Sequence, residues 1–258
     1  MQALKHPHLL SKTELYRLAE SGPEGLSKSQ AQHRAAQSGP NRLAEEKRPN
    51  IFSRIAGQIM DPMVLVLLAA ALISALFGEW ADSGVIAVVI LLNSALGVYQ
   101  EGRAEKAIEA LARTAAPQAV VRRDNALKRI SAEELVVGDI VLLAAGDAAP
   151  ADIRLLDAYE LRVDESSLTG ESHPVDKQPR EMPEEAISAA PSERTNMVYM
   201  GSPILYGRGE GLVAAIGMDT QTGRIAHLLA STEQQATPLQ KKLAELSQKL
   251  SLAVLVIC

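Results

Sequence analysis

Two charge-free apolar runs within the first hundred residues restrict this chain more than any other feature. Residues 62–78 (17 positions) and 83–100 (18 positions) contain no Asp, Glu, Lys or Arg. Neither run carries the polar stripe of a helix lying on a soluble core. A helix that crosses the hydrocarbon core of a bilayer needs about 20 apolar residues, with a lower limit near 17. The pair therefore reads as a transmembrane helix pair, residues 51–102 with flanks. Ile51, Phe52, Ile55 and Ile59 precede the first run at helical spacing and extend it along the membrane surface. Two buried helices of a large soluble protein are the alternative.

Charge sets the orientation. Lys47, Arg48 and Arg54 precede the first run, and Arg103 and Lys106 follow the second. The short connection between the runs holds Glu79 and Asp82 and neither Lys nor Arg. The positive-inside bias then places both ends of the hairpin in the cytoplasm. A third apolar run occupies residues 250–258, the expected start of another membrane helix. Residues 103–249 become a cytoplasmic insert behind a cytoplasmic lead, residues 1–50, in a multi-pass protein of the cell's inner (plasma) membrane.

The remaining composition excludes several classes. A net charge of −5 gives no reason for a nucleic-acid partner. The one cysteine, Cys258, permits neither a disulfide framework nor a CxxC metal site. No metal-ligand set is expected. The start of the chain, with Lys5, His6 and His8, lacks the apolar core of a signal peptide. His6 and His8 are expected to be solvated on a disordered end.

Within the lead, the pattern predicts two short helices over residues 11–43. Thr13, Glu14, Leu15 and Leu18 fit the first, and Ser27 caps a second that runs to about Gln37. Gly39-Pro40-Asn41 reads as a turn. Residues 101–113 continue the second span as a helix. From Gln118 onward, short Val-, Ile- and Leu-rich runs alternate with Gly, Asp and Pro, which predicts an all-β unit. The strands are expected at 119–121, 139–143, 152–156, 161–163, 197–200 and 211–216. Turns are expected at Arg123-Asp124-Asn125, Gly146-Asp147 and Gly207-Arg208-Gly209. Helix returns after Gly223. A last helix, starting near Pro238 with Leu239, Leu243, Leu246 and Leu250 on one face, leads into the third apolar run.

The chemistry centres on Arg162-Val163-Asp164-Glu165-Ser166-Ser167-Leu168-Thr169-Gly170-Glu171-Ser172, which leaves a strand and enters a loop. Gly170 permits a tight turn or a close approach, and Glu171 stands at the tip as a potential general base. Thr-Gly-Glu-Ser preceded by Asp-Glu-Ser-x-Leu resembles the actuator loop of P-type ATPases. Val137-Gly138-Asp139-Ile140-Val141, Gly146-Asp147 and Pro150-Ala151-Asp152-Ile153-Arg154 resemble the same family upstream. Residues 194–201 (Arg-Thr-Asn-Met-Val-Tyr-Met-Gly), 217–220 (Gly-Met-Asp-Thr) and 237–240 (Thr-Pro-Leu-Gln) resemble it downstream. The lead's Gly25-Leu26-Ser27 and Gly39-Pro40-Asn41 do so as well. The resemblance runs from about Ser11 to Cys258.

The resemblance implies a mixed α and β fold: a transmembrane helical hairpin plus an all-β actuator domain, distorted jelly-roll-like, with flanking helices. It implies ATP-driven cation transport through an aspartyl-phosphate intermediate, with calcium favoured and sodium, proton or magnesium as alternatives. Glu171 would orient and deprotonate the water that attacks the phosphorus, and Thr169, Gly170 and Ser172 would carry it in the loop. Residues 103–113 and 238–249 would be stalks from the domain to the membrane. ATP and Mg2+ would serve the intact protein without binding to these residues. The implied partners are the lipid bilayer, the phosphorylation, nucleotide-binding and remaining membrane domains of the same pump, and the transported cation. No Asp-Lys-Thr-Gly-Thr motif occurs in the sequence, so the chain alone is expected not to hydrolyse ATP. A short membrane-anchored regulatory module without activity is the other reading. Pro23-Glu24-Gly25-Leu26 spells a motif that similar pumps place in a membrane helix to bind ions, but in this polar lead it reads as a turn.

Overall fold

The computed structural model describes residues 3–43, 55–57, 60, 62–114, 117–170 and 173–230, with a few single positions between 239 and 249. The chain divides into two compact units. One joins residues 1–44 to 116–232, and the other joins 45–115 to 233–258. The described positions of the expected last helix (239, 242, 243, 245, 246 and 249) are helical; its other residues, the third apolar run and residues 44–54 fall outside the described residues.

The helical unit contains α3 (Pro62–Leu76) and α4 (Trp80–Thr114), which pack on one another. The 35 residues of α4 confirm that the helix continues past the second apolar run into residues 101–114. The two helices are separated at Gly78, whose φ of 85° is left-handed. Trp80–Gln100 is long and apolar enough to cross a membrane. α3 has 15 residues, and at 1.5 Å per residue it spans about 22 Å, short of a hydrocarbon core of about 30 Å. Apart from Val64, Ala71 and Ile90, the apolar side chains here are largely exposed: Leu76 is 79% exposed, Phe77 82% and Leu91 69%. So large an apolar surface belongs against lipid or protein, not water.

The other unit is built on a seven-stranded antiparallel sheet of order β2-β1-β3-β7-β4-β5, with β6 paired to β4. The strands are β1 (Gln118–Arg123), β2 (Ala126–Ser131), β3 (Ile140–Ala144), β4 (Asp152–Val163), β5 (Val175–Asp176), β6 (Met197–Val198) and β7 (Ile204–Ala215). Asp124 and Asn125, with φ of 54° and 57°, close the β1–β2 hairpin. Two consecutive left-handed residues give the turn whose twist matches the strands, and Asp and Asn tolerate that region best after Gly. Val121, Val141, Ile153, Leu155, Val163, Ile204 and Val213 form the main core.

The expected strands at 152–156 and 161–163 are one twelve-residue strand, β4, and β7 starts seven residues before the expected 211. The polar stretch Asp157–Glu160 hides this continuity because β4 bulges there against β7. Gly207-Arg208-Gly209, expected as a turn, lies inside β7. Gly207 has a φ of 77°, and a Cβ on it would collide with the Tyr159 and Glu160 carbonyls. The glycine serves close approach to a bulged neighbour, not reversal of the chain.

The lead folds onto this sheet. Ser11 caps α1 (Lys12–Leu18) and Ser27 caps α2 (Lys28–Ser38), each with a reciprocal capping box through Glu14 or Gln30. Leu15 and Ala19 pack on Ile140, Leu156 and Leu212, and Leu26 and Ala31 on Val136. That cover explains why Asp152–Leu156 is buried on both faces. Gly25 turns the chain at a φ of 78°, as expected for the 23–26 segment. Asn41 cross-links the unit, donating to Ala132 O (2.9 Å) and Pro150 O (2.8 Å) and accepting from Gly217 N (2.8 Å).

His6 is exposed, as expected, but the expectation for His8 is overturned. His8 is fully buried. Its main-chain oxygen accepts from Asn196 Nδ2 (2.8 Å) and Met182 N (3.2 Å), and its Nε2 lies 3.1 Å from Ala186 O. Arg154, also buried, donates to Pro7 O and Leu10 O and holds this segment down. Burial, then the nearby Arg194, lowers the His8 pKa. Its neutral form is the one the fold accepts.

Candidate functional site

At the end of β4 the chain leaves the sheet through Asp164 and Glu165. Asp164 Oδ1 accepts from Ser166 N (2.9 Å), and this local turn starts the single helical turn α5 (Ser166–Thr169). Glu165 O accepts from Leu168 N (2.9 Å), Thr169 N (3.0 Å) and Thr169 Oγ1 (3.1 Å). Gly170 ends the turn in the left-handed region, φ 76° and ψ 0°, with its N–H on Ser166 O (2.8 Å). Among the described residues other than its chain neighbour, no atom lies within 4 Å of where a Gly170 Cβ would stand. Gly170 is exposed, as are His173 and Pro174 beyond it.

Of the four expected site residues, two are described: Thr169, half-buried, and Gly170, exposed, consecutive on this turn. Glu171 and Ser172 lie outside the described residues. Among the described residues, no group of three or more His, Cys, Asp or Glu could hold a metal ion.

Sequence reasoning gave no role to the pair beneath the loop. Glu165 Oε1 and Lys177 Nζ meet at 2.6 Å with side chains 1% and 0% exposed. Lys177 Nζ also reaches Arg194 O (3.4 Å) and stands 5.9 Å from the centre of the Tyr199 ring. The other carboxylate oxygen of Glu165 has no hydrogen-bond partner among the described residues. Burial pushes the Glu165 carboxyl up and the Lys177 ammonium down, and each is drawn back by the other's charge. A lysine following Val175 and Asp176 gives no local sign of burial, because lysine is almost never fully buried unless paired.

A second buried carboxylate sits at the start of β4. Asp152 Oδ1 accepts from Met200 N (3.0 Å) and Oδ2 from Gln221 N (2.8 Å), tying β4 to the β6–β7 turn and to α6 (Gln221–Ala230). Burial outweighs these bonds and raises its pKa from 3.8 to about 6. The folded state thus holds this proton more tightly than the unfolded chain. Its contribution to stability is greatest below pH 3.8, falls as pH rises to about 6 and is flat above. The shift corresponds to about 3 kcal/mol. Urea unfolding followed by circular dichroism should show this slope between pH 4 and 6. Asp152→Asn should flatten it, and an unchanged slope in that variant would remove Asp152 as its source.

Residues 113–230 match the family described as "P-type ATPase actuator domain", and residues 7–74 match "Cation transporter/ATPase, N-terminus". Among similar proteins, "Calcium-transporting ATPase 1" of Bacillus cereus is 44% identical over 91% of this chain and 27% of its own length. "Calcium-transporting ATPase 1" of Lactococcus lactis is 41% identical over 98% of this chain and 28% of its own. "Probable cation-transporting ATPase F" of Mycobacterium tuberculosis is 41% identical over 96% of this chain and 27% of its own. The chain thus spans little more than a quarter of the length of these relatives.

Proposed function

This chain belongs to the P-type cation ATPases over their N-terminal and actuator regions, and from that premise we propose that it serves an ATP-driven pump whose first-choice cargo is calcium. The observation that carries the proposal is the turn that follows β4, with Thr169 half-buried and Gly170 exposed, inside the segment matching the actuator family. In this reading Glu171 acts on the water that hydrolyses an aspartyl phosphate formed elsewhere in the pump. Thr169, Gly170 and Ser172 carry Glu171 to it. ATP and Mg2+ supply the phosphoryl group and its charge neutralisation in parts of the pump beyond these residues.

Calcium is favoured because the names of two relatives, 44% and 41% identical, state calcium transport. Sodium, proton and magnesium are the competing cargoes. The lack of Lys and Arg between the apolar runs supports a cytoplasmic position for residues 103–249.

Inside-out vesicles from cells producing the intact pump provide the test. ATP should drive uptake of calcium ahead of sodium, magnesium or protons, and trypsin added outside should cut the actuator unit. Uptake of another ion alone would replace calcium in the proposal. The absence of ATP-driven transport of any of these ions would overturn it. Protection of the actuator unit from trypsin would reverse the orientation.

A further inference from the structure

We infer that the buried Glu165–Lys177 pair is a positioning device for the Thr169 to Ser172 loop, so that its geometry sets the rate of phosphoenzyme hydrolysis. The inference rests on the role proposed for Glu171.

The two residues stand at the two roots of the loop. Glu165 follows β4 and Lys177 follows β5, and their contact at 2.6 Å closes the eleven residues between them. Glu165 faces two ways. Its carboxylate holds Lys177, while its main-chain oxygen takes the amide and the hydroxyl of Thr169. A change in the pair therefore shifts Thr169, two residues before Glu171. Lys177 is fixed in turn, through its own N–H on Leu161 O (2.9 Å) and its Nζ on Arg194 O.

Of the described loop residues, Leu168 packs on Met197, Tyr199 and Ala214, while Gly170 is exposed. Among the described residues other than its chain neighbour, no atom lies within 4 Å of the Gly170 Cβ position. The other ion pair between β4 and β5, Arg162–Asp176, has side chains 59% and 71% exposed. Water screens such a pair, and it defines little geometry. A buried ion pair seldom adds stability over apolar side chains of the same volume. What it adds here is direction, because an ammonium and a carboxylate in contact fix both partners where two methyl groups would slide. A catalytic group displaced by about 1 Å can lose about 10²-fold in rate.

The test uses the intact pump carrying Glu165→Gln together with Lys177→Met, which removes both charges and keeps the volume. Three quantities are read: the phosphoenzyme level from ATP, the ion concentration for half-maximal phosphorylation, and the decay of phosphoenzyme in a chase. Decay should slow about 10-fold to 10²-fold, with the other two unchanged. That split separates positioning from general damage, which would lower all three. Glu165→Asp keeps both charges but withdraws the carboxylate by one methylene. It should also slow decay, by a smaller factor, and it stands in if the double variant does not fold. Wild-type decay in a folded variant, or equal losses in phosphorylation and decay, would overturn the inference. Glu171→Gln is run in parallel. If it decays slowly while the pair variants decay normally, only this inference falls. If Glu171→Gln itself decays normally, the proposed role of the loop falls and takes this inference with it.

Discussion

Lys177→Met alone is expected to destabilise the β unit by about 3–5 kcal/mol, while Glu165→Gln with Lys177→Met stays close to wild type. The asymmetry follows from what each variant leaves behind. The single change strands a carboxylate that is 1% exposed and has no other donor among the described residues. The double change leaves a neutral amide and a thioether of similar volume. Domains of this kind have about 5–15 kcal/mol to lose, so the single variant should unfold at distinctly lower urea concentration. Its defect should also depend on pH with a definite sign. Burial already raises the Glu165 pKa, and Lys177 is the group that draws it back. Without Lys177 the folded-state pKa rises further above the unfolded value. The penalty is then full above the folded pKa and shrinks as acid neutralises the carboxyl. Urea titrations of the full 258-residue chain in detergent at pH 5 and pH 7, read by circular dichroism, would show this. A single variant within about 0.5 kcal/mol of wild type at pH 7 would mean that water reaches Glu165 and that the pair is not buried in solution.

What was legible in the sequence was local, and what was not depends on distant partners. Ser27 announces a helix start, and Asp124-Asn125 announces a turn, because each acts on its own neighbouring backbone. His8 looked solvated because nothing near it in sequence indicates that Asn196 and Ala186 will meet it. Gly207 and Gly209 looked like a turn because glycine has two uses. The use realised here, close approach to bulged β4, is visible only once β4 and β7 are paired. The 157–160 stretch split β4 in two for the same reason. At the candidate site, Thr169 and Gly170 were legible as part of a contiguous motif. Lys177 was not, since its meaning lies in Glu165, twelve residues earlier, and in the Tyr199 ring and Arg194 carbonyl beyond it.

Glu171→Gln in the intact pump is expected to leave phosphorylation by ATP in place and to slow loss of the bound phosphate by about 10²–10⁴, the range for a lost general base. The amide keeps the size of the side chain and one acceptor oxygen, but it cannot take a proton from the attacking water. Phosphoenzyme should therefore accumulate at steady state, and ion-stimulated turnover should fall with it. Urea unfolding of the variant, read by circular dichroism, separates this effect from a loss of folding. The measurement is a chase: the variant is labelled with ATP, chelator and unlabelled nucleotide are added, and the bound phosphate is followed with time. Decay at the wild-type rate would remove Glu171 from the hydrolysis step. A folded variant that never acquires phosphate would place the residue in the earlier transfer from ATP instead.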